Sequence, residues 1–274
     1  MRCDPTRKHS SRHVWRTLAI TAVLAFVAGQ RAFCLESGNT NTFLRYEEPR
    51  LLTGRIYAKG GDRRNLLYKF RRQAIRAGEA LQVLREYTSP DGTVAARERI
   101  SYAGNHLVSY ELEELQIGAL GRAEIRPDLR APAERLWFEY SNEPGARAKP
   151  KTNSEELNGE ALVNDMLAPF LVLHWEGLMS GKEVKCRYIV VPRRETVGFT
   201  FKKQSEQTHE GRRVVIVKME ATSPLIALLV EPLFFTIEKN APHHVLEYEG
   251  RTTPKIRSGS KWKDLDAVTV FDWP

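Results

Sequence analysis

From residue 53 to about residue 140, apolar and polar positions alternate in short runs separated by turn residues. Leu81, Val83, Arg85 and Tyr87 fall on one side of such a run and Gln82, Leu84 and Glu86 on the other. A period of two is the mark of a strand with one face against a core. Ser89-Pro90-Asp91-Gly92 then supplies a turn, because proline presets φ and glycine accepts a positive φ. A return strand follows over 93–102, and further strands are predicted over 106–115, 122–126 and 136–140. The sequence therefore predicts an antiparallel β meander over 53–140.

Residues 141–154 contain two prolines and no apolar rhythm, and are predicted to be a loop. Ser154 followed by Glu155, Glu156 and Glu160 suits a helix start, with Leu157, Ala161, Val163, Met166 and Leu167 as its buried side. Pro169 should end or kink that helix, with a second short one following over 170–179. Strands resume at about 183–191, 195–203, 212–220, 233–239, 245–251 and 267–271. Between them, residues 223–230 carry no charge and are bounded by Pro224 and Pro232, which predicts a short buried helix. The expected fold is mainly β (α+β): a large curved antiparallel sheet or half-barrel with a few apolar helices on its concave side. Residues 155–274 would form the helices and second sheet, either as their own unit or within one continuous domain spanning 53–274.

The N-terminus follows another pattern. Arg2, Arg7, Lys8, Arg12 and Arg16 precede an uncharged apolar run over 17–29. This is the layout of a secretory signal peptide, and the run falls short of the roughly 20 apolar residues of a membrane span. Residues 1–32 are read as the signal and 33–52 as a linker, which places the protein in the periplasm or outside the cell. The alternative is a membrane anchor formed by an uncleaved signal. Phe33 before Cys34 does not suit lipidation of that cysteine. Export would permit a disulfide between Cys34 and Cys186, but Cys186 reads better as a buried thiol in a strand, with Cys34 in a loose tail.

Charge matters mainly through this leader. The chain has 42 Lys+Arg and 34 Asp+Glu, a net of +8. Six of the basic residues and one acid lie in residues 1–32, so the remainder carries only +3. That argues against nucleic acid as a partner.

Catalytic chemistry finds no recognisable motif. His106, His174, His209, His243 and His244 show no metal-binding spacing, and the adjacent pair His243 and His244 should point to opposite faces. No Gly-x-Ser-x-Gly elbow or phosphate loop occurs, so no catalytic residue, metal or cofactor is assigned. A non-enzymatic interaction or structural role in the cell envelope is expected, with envelope proteins as partners. The alternative is a carrier or sensor for a lipid or other apolar ligand. Met166, Phe170, Leu173, Trp175, Leu225, Leu228, Leu229 and Phe235 are the residues expected to line its cavity, unless they fill a solid core instead.

The apolar Ser223-Pro-x-Ile226-x-x-Leu229 insertion and the later Tyr248-x-Gly250-Arg251 strand, behind an export signal, resemble exported β-proteins of bacterial envelopes. In outline the pattern over 180–272 is similar to the LolA/LolB group. That resemblance implies a half-barrel, a lipoprotein-carrier role in the periplasm and no catalytic residues.

Overall fold

The structure is a computed structural model that describes residues 46–61, 63–127, 134–142, 149–157 and 159–273. The expected signal peptide, Cys34 and most of the expected linker lie outside the described residues.

The described chain forms one curved sheet of fifteen strands. The first half comprises β1 (Leu51–Ala58), β2 (Leu66–Ala77), β3 (Ala80–Thr88), β4 (Val94–Ala103), β5 (His106–Glu114), β6 (Ala119–Pro127), β7 (Glu134–Ser141) and β8 (Lys151–Glu156). The second half comprises β9 (Ala161–Leu162), β10 (Val184–Val190), β11 (Glu195–His209), β12 (Arg212–Ala221), β13 (Leu233–Glu238), β14 (Val245–Ser258) and β15 (Lys261–Asp272). Between β9 and β10 run a 3-10 turn (Asn164–Met166), α1 (Leu167–Leu173) and α2 (Trp175–Met179). The short helix α3 (Pro224–Ala227) joins β12 to β13.

Chain neighbours pair antiparallel almost throughout, because turns such as 89–92 bring each strand straight back. Gly92 there has a φ of 93° and donates its N–H to the Ser89 carbonyl at 3.0 Å. The sheet runs from β8 back to β1, crosses to β15, and continues back to β9. The first and last strands therefore meet at its centre, with Thr53 opposite Asp272 and Ala58 opposite Ala267. Its two edges are β8 and the two-residue β9, which pairs parallel to β10.

These edges approach without joining into a ladder. Glu155 on β8 accepts hydrogen bonds from the Thr196 hydroxyl (2.7 Å) and backbone N–H (3.1 Å) at the start of β11. A second 3-10 turn, Val191–Arg193, lies against β6, where a Cβ on Gly121 would come within 2.3 Å of the Val191 side chain. Glycine at 121 is what lets that turn sit down. The result is an unclosed barrel, as expected.

Two apolar clusters fill it. The larger draws on both halves of the sheet and on α1 and α2, with Phe138, Phe201, Leu171 and Leu178 fully buried. The smaller collects Leu52, Ile56, Tyr68, Phe70, Tyr87, Ala95, Ala96, Leu265 and Ala267. Full burial of a Leu or Phe side chain contributes about 1.5–3 kcal/mol, so these clusters hold the sheet in its curve.

Several expectations are corrected. Residues 151–156, expected as the end of a loop and a helix start, form β8. Its pairing with β7 supplies the backbone hydrogen bonds that a helix would have made internally. Ser154 caps nothing, and its hydroxyl accepts a bond from Arg135 at 3.1 Å. Pro169 falls within the first turn of α1, where its missing N–H is harmless, so the helix begins there instead of ending. Residues 46–52 are not linker. Tyr46 is buried and stacked on Tyr102 with ring centroids 4.6 Å apart, and β1 begins at Leu51.

Candidate functional site

On three adjacent strands, an inward-facing position that should be apolar carries a charge. In β2 the inward row reads Tyr68, Phe70, Arg72, Ala74; in β3 it reads Leu81, Val83, Arg85, Tyr87; in β4 it reads Ala96, Glu98, Ile100, Tyr102. The register sets Arg72 opposite Arg85 and Arg85 opposite Glu98, so the three form one row across the sheet. On one side of the row lies the smaller apolar cluster and on the other the larger. The row is a polar partition inside the barrel.

Two arginines side by side in a buried row repel each other unless each has its own acid. Glu98 serves Arg85, with Oε2 2.7 Å from Nη1. Asp165, from the 3-10 turn, serves Arg72 through bonds of 2.6 and 3.0 Å. The Pro49 and Tyr46 carbonyls accept the remaining bonds of Arg72 and tie the segment before β1 to it. Burial pulls the Asp165 carboxyl upward, but the charge and hydrogen bonds of Arg72 more than reverse this, and its pKa lies below the ordinary 3.8. Tyr102 donates to Asp165 at 3.0 Å, and burial, reinforced by the Asp165 charge, pushes its phenol well up, so it stays a donor.

Glu98 is fully buried and surrounded by donors. Besides Arg85 it accepts from the Asn164 amide (2.9 Å), the Tyr87 hydroxyl (3.3 Å) and the Thr253 hydroxyl. Thr253 belongs to β14, which breaks register after Arg251 and bends inward to reach β4. Arg85 is placed differently. Its guanidinium lies 5.2 Å over the Phe70 ring, and Glu98 is its one hydrogen-bond acceptor among the described residues. Burial works against its charge, yet the neighbouring Glu98 carboxylate keeps it protonated and above its ordinary range.

Arg85 borders two cavities. One, of about 100 Å³, is walled mainly by Leu52, Phe70, Leu167, Phe235, Phe271 and Trp273, with Arg72, Arg85, Asn164 and Asp165 at its polar end. It reaches solvent beside the exposed Glu48. The other, of about 30 Å³, lies between Arg85, Tyr87, Arg251 and Thr253.

Of the eight residues expected to line a cavity, Phe235 does so. Met166, Phe170 and Trp175 are buried in the larger core, and Leu173 at the end of α1 is 40% exposed. Leu225, Leu228 and Leu229 are 76%, 83% and 70% exposed, so the expectation of a buried 223–230 helix is corrected. The four-residue α3 is too short to bury a face of its own, and it stands at the end of the sheet where β12 gives way to β13. The partition residues were missed. Their signal was there in the strand rhythm, as charges on otherwise apolar faces at Arg72, Arg85 and Glu98.

His243 stacks on Trp175 at 4.1 Å and His244 on Trp273 at 3.9 Å, and both rings contact Glu238. The Cys186 thiol is pushed up to about 12, mainly by burial with a contribution from Glu160. Its pairing with Cys34 lies outside the described residues.

Fold and site together define an unclosed antiparallel β-barrel with a charged partition and a small apolar cavity. No family model matches the chain, and no curated protein matches it. A solved beta-barrel-like protein of a domain of unknown function, DUF1849, from Brucella abortus superposes with a TM-score of 0.38 and 9% identity, covering 81% of this chain and 96% of that one.

Proposed function

We propose that this is an exported, non-enzymatic attachment protein of the cell envelope that works at a lipid surface. The observation that carries this reading is the tip at 223–230: eight uncharged residues with three leucines standing almost free in water. Exposed apolar side chains in such a cluster mark a contact surface, and full burial of each would contribute about 1.5–3 kcal/mol to attachment.

A second feature at the same end of the sheet favours lipid over protein as the surface. Gly250 approaches Leu233 so closely that a Cβ there would lie 2.8 Å from its side chain, and beyond this point β14 runs past the start of β13 and pairs with β15 alone. The tip of the β14–β15 hairpin carries Arg257, Lys261 and Lys263 exposed and Trp262 37% exposed. Lys261 and Lys263 make no ion pair among the described residues. Leucines with nearby cations and an interfacial tryptophan suit an anionic membrane surface.

Cosedimentation with phosphatidylcholine vesicles, with and without phosphatidylglycerol, tests the reading. The full chain should bind vesicles containing the anionic lipid. The combined Leu225→Ser, Leu228→Ser and Leu229→Ser variant should bind at least about tenfold more weakly with its fold intact. Equal binding by parent and variant would remove the proposal.

The carrier role implied by the LolA/LolB resemblance draws its support from the cavity beside Arg85. A volume of about 100 Å³ admits a short apolar segment, not a whole lipid, so attachment is the better-supported reading.

A further inference from the structure

The cavity beside Arg85 is separate from the 223–230 tip, and its chemistry specifies a ligand of its own. Its walls are apolar, which selects for hydrocarbon. Its polar end holds Arg72, Arg85 and Asp165, and each arginine is already answered by a carboxylate, Arg72 by Asp165 and Arg85 by Glu98 behind the lining. An added anion would lose its hydration and find the nearest cation already answered by a carboxylate, so the balance works against it. What the site does offer is donors. Arg72 spends its N–H groups on Asp165, Pro49 and Tyr46, whereas Arg85 bonds only Glu98 among the described residues and borders both cavities.

The geometry points to a binding site for an uncharged apolar molecule with one acceptor oxygen, an ester or ketone, whose oxygen meets the Arg85 guanidinium. The hydrocarbon part lies against Phe70, Phe235 and Phe271 and leaves the protein beside Glu48. Size limits the buried part. An apolar cavity of about 150 Å³ takes up benzene, so about 100 Å³ encloses roughly four heavy atoms, with any longer chain lying in the mouth. Buried donors also set the selectivity: a hydrocarbon lacking the oxygen leaves them unpaired, and a carboxylate brings a charge that the paired site does not need.

Saturation-transfer NMR with the full chain tests this, using methyl hexanoate and sodium hexanoate at pH 7.5 as probes. Methyl hexanoate should bind saturably, and at least tenfold more tightly than hexanoate. Ala168→Leu, which fills the cavity from the first turn of α1 and leaves both ion pairs untouched, should weaken ester binding at least tenfold. Arg85→Met should do the same wherever its circular dichroism matches the parent. Hexanoate binding as tightly as the ester, no saturable ester signal, or an unchanged Ala168→Leu variant would each overturn the inference. None of these outcomes bears on vesicle attachment, so the two proposals fail independently.

Discussion

The segments 164–175 and 223–230 both interrupt the antiparallel sheet with short apolar helices, yet one fills the barrel and the other stands in solvent. Phe170 and Leu171 on α1 are 3% and 1% exposed, against 83% for Leu228 beyond α3. Hydrophobic content does not separate them. The difference is what lies at each end. The first segment begins with Asn164 and Asp165, whose side chains reach Glu98 and Arg72 in the partition and fix α1 beneath the sheet. The second is bounded by prolines at the end of two strands and has no polar side chain of its own reaching inward. Its backbone is tied to Ser223 and Pro224, and only the half-buried Ile226 packs against the larger core. A buried apolar helix in this fold needs an anchor as well as a greasy face.

The largest effect should come from breaking that anchor. Asp165→Ala leaves the Arg72 guanidinium buried without its partner, and removing one member of a buried pair typically destabilises by about 3–5 kcal/mol. Urea denaturation of parent and variant measures this. The pH dependence has a definite sign. The folded pKa of Asp165 lies below its ordinary 3.8, so its contribution is complete above that value and is lost as pH falls toward the folded pKa. The variant should lack this part of the parent's acid sensitivity, and an identical slope below about pH 4 would contradict the assignment.

Core packing comes next. Phe170→Ala should destabilise by about 3–5 kcal/mol, at the lower end if α1 settles into the space. Leu228→Ser, an equally drastic change on paper, should stay within about 0.5 kcal/mol in the same measurement. Comparable losses at the two positions would mean that the tip is packed and the contrast is false.

A smaller effect of opposite sign is expected beside the anchor. The Tyr46 hydroxyl is buried without a hydrogen-bond partner among the described residues, while its ring stacks on Tyr102, which in turn donates to Asp165. An orphaned buried hydroxyl costs about 1–3 kcal/mol, so Tyr46→Phe should be neutral or stabilise by up to about 1 kcal/mol. A clear loss of thermal stability would show that the hydroxyl has a partner.

Much of the sheet was legible because strands announce themselves locally. The row Leu81, Val83, Arg85, Tyr87 faces inward in β3 as its alternation demands, and the turn at 89–92 closes as its proline and glycine predict. The helix expected from Ser154 was not legible. Serine followed by glutamates suits a helix start and an edge strand alike, and the choice fell to β7, which pairs with 151–156, and to Thr196, which bonds Glu155. The candidate site was half-written. Charges at Arg72, Arg85 and Glu98 broke the apolar rhythm of three strands, but Asn164 and Asp165 reach them from some 65 to 95 residues further along the chain.

By itself, then, the sequence determined the strand-turn rhythm, the antiparallel meander and the balance of charge outside the leader, since each depends on neighbours a few residues apart. Only the tertiary structure decided which apolar helix went inside, which carboxylate answered each buried arginine and where a cavity was left. Those outcomes depend on distant residues meeting across the barrel, where burial makes an unpaired charge too costly to keep and leaves an unanchored apolar tip free to face water.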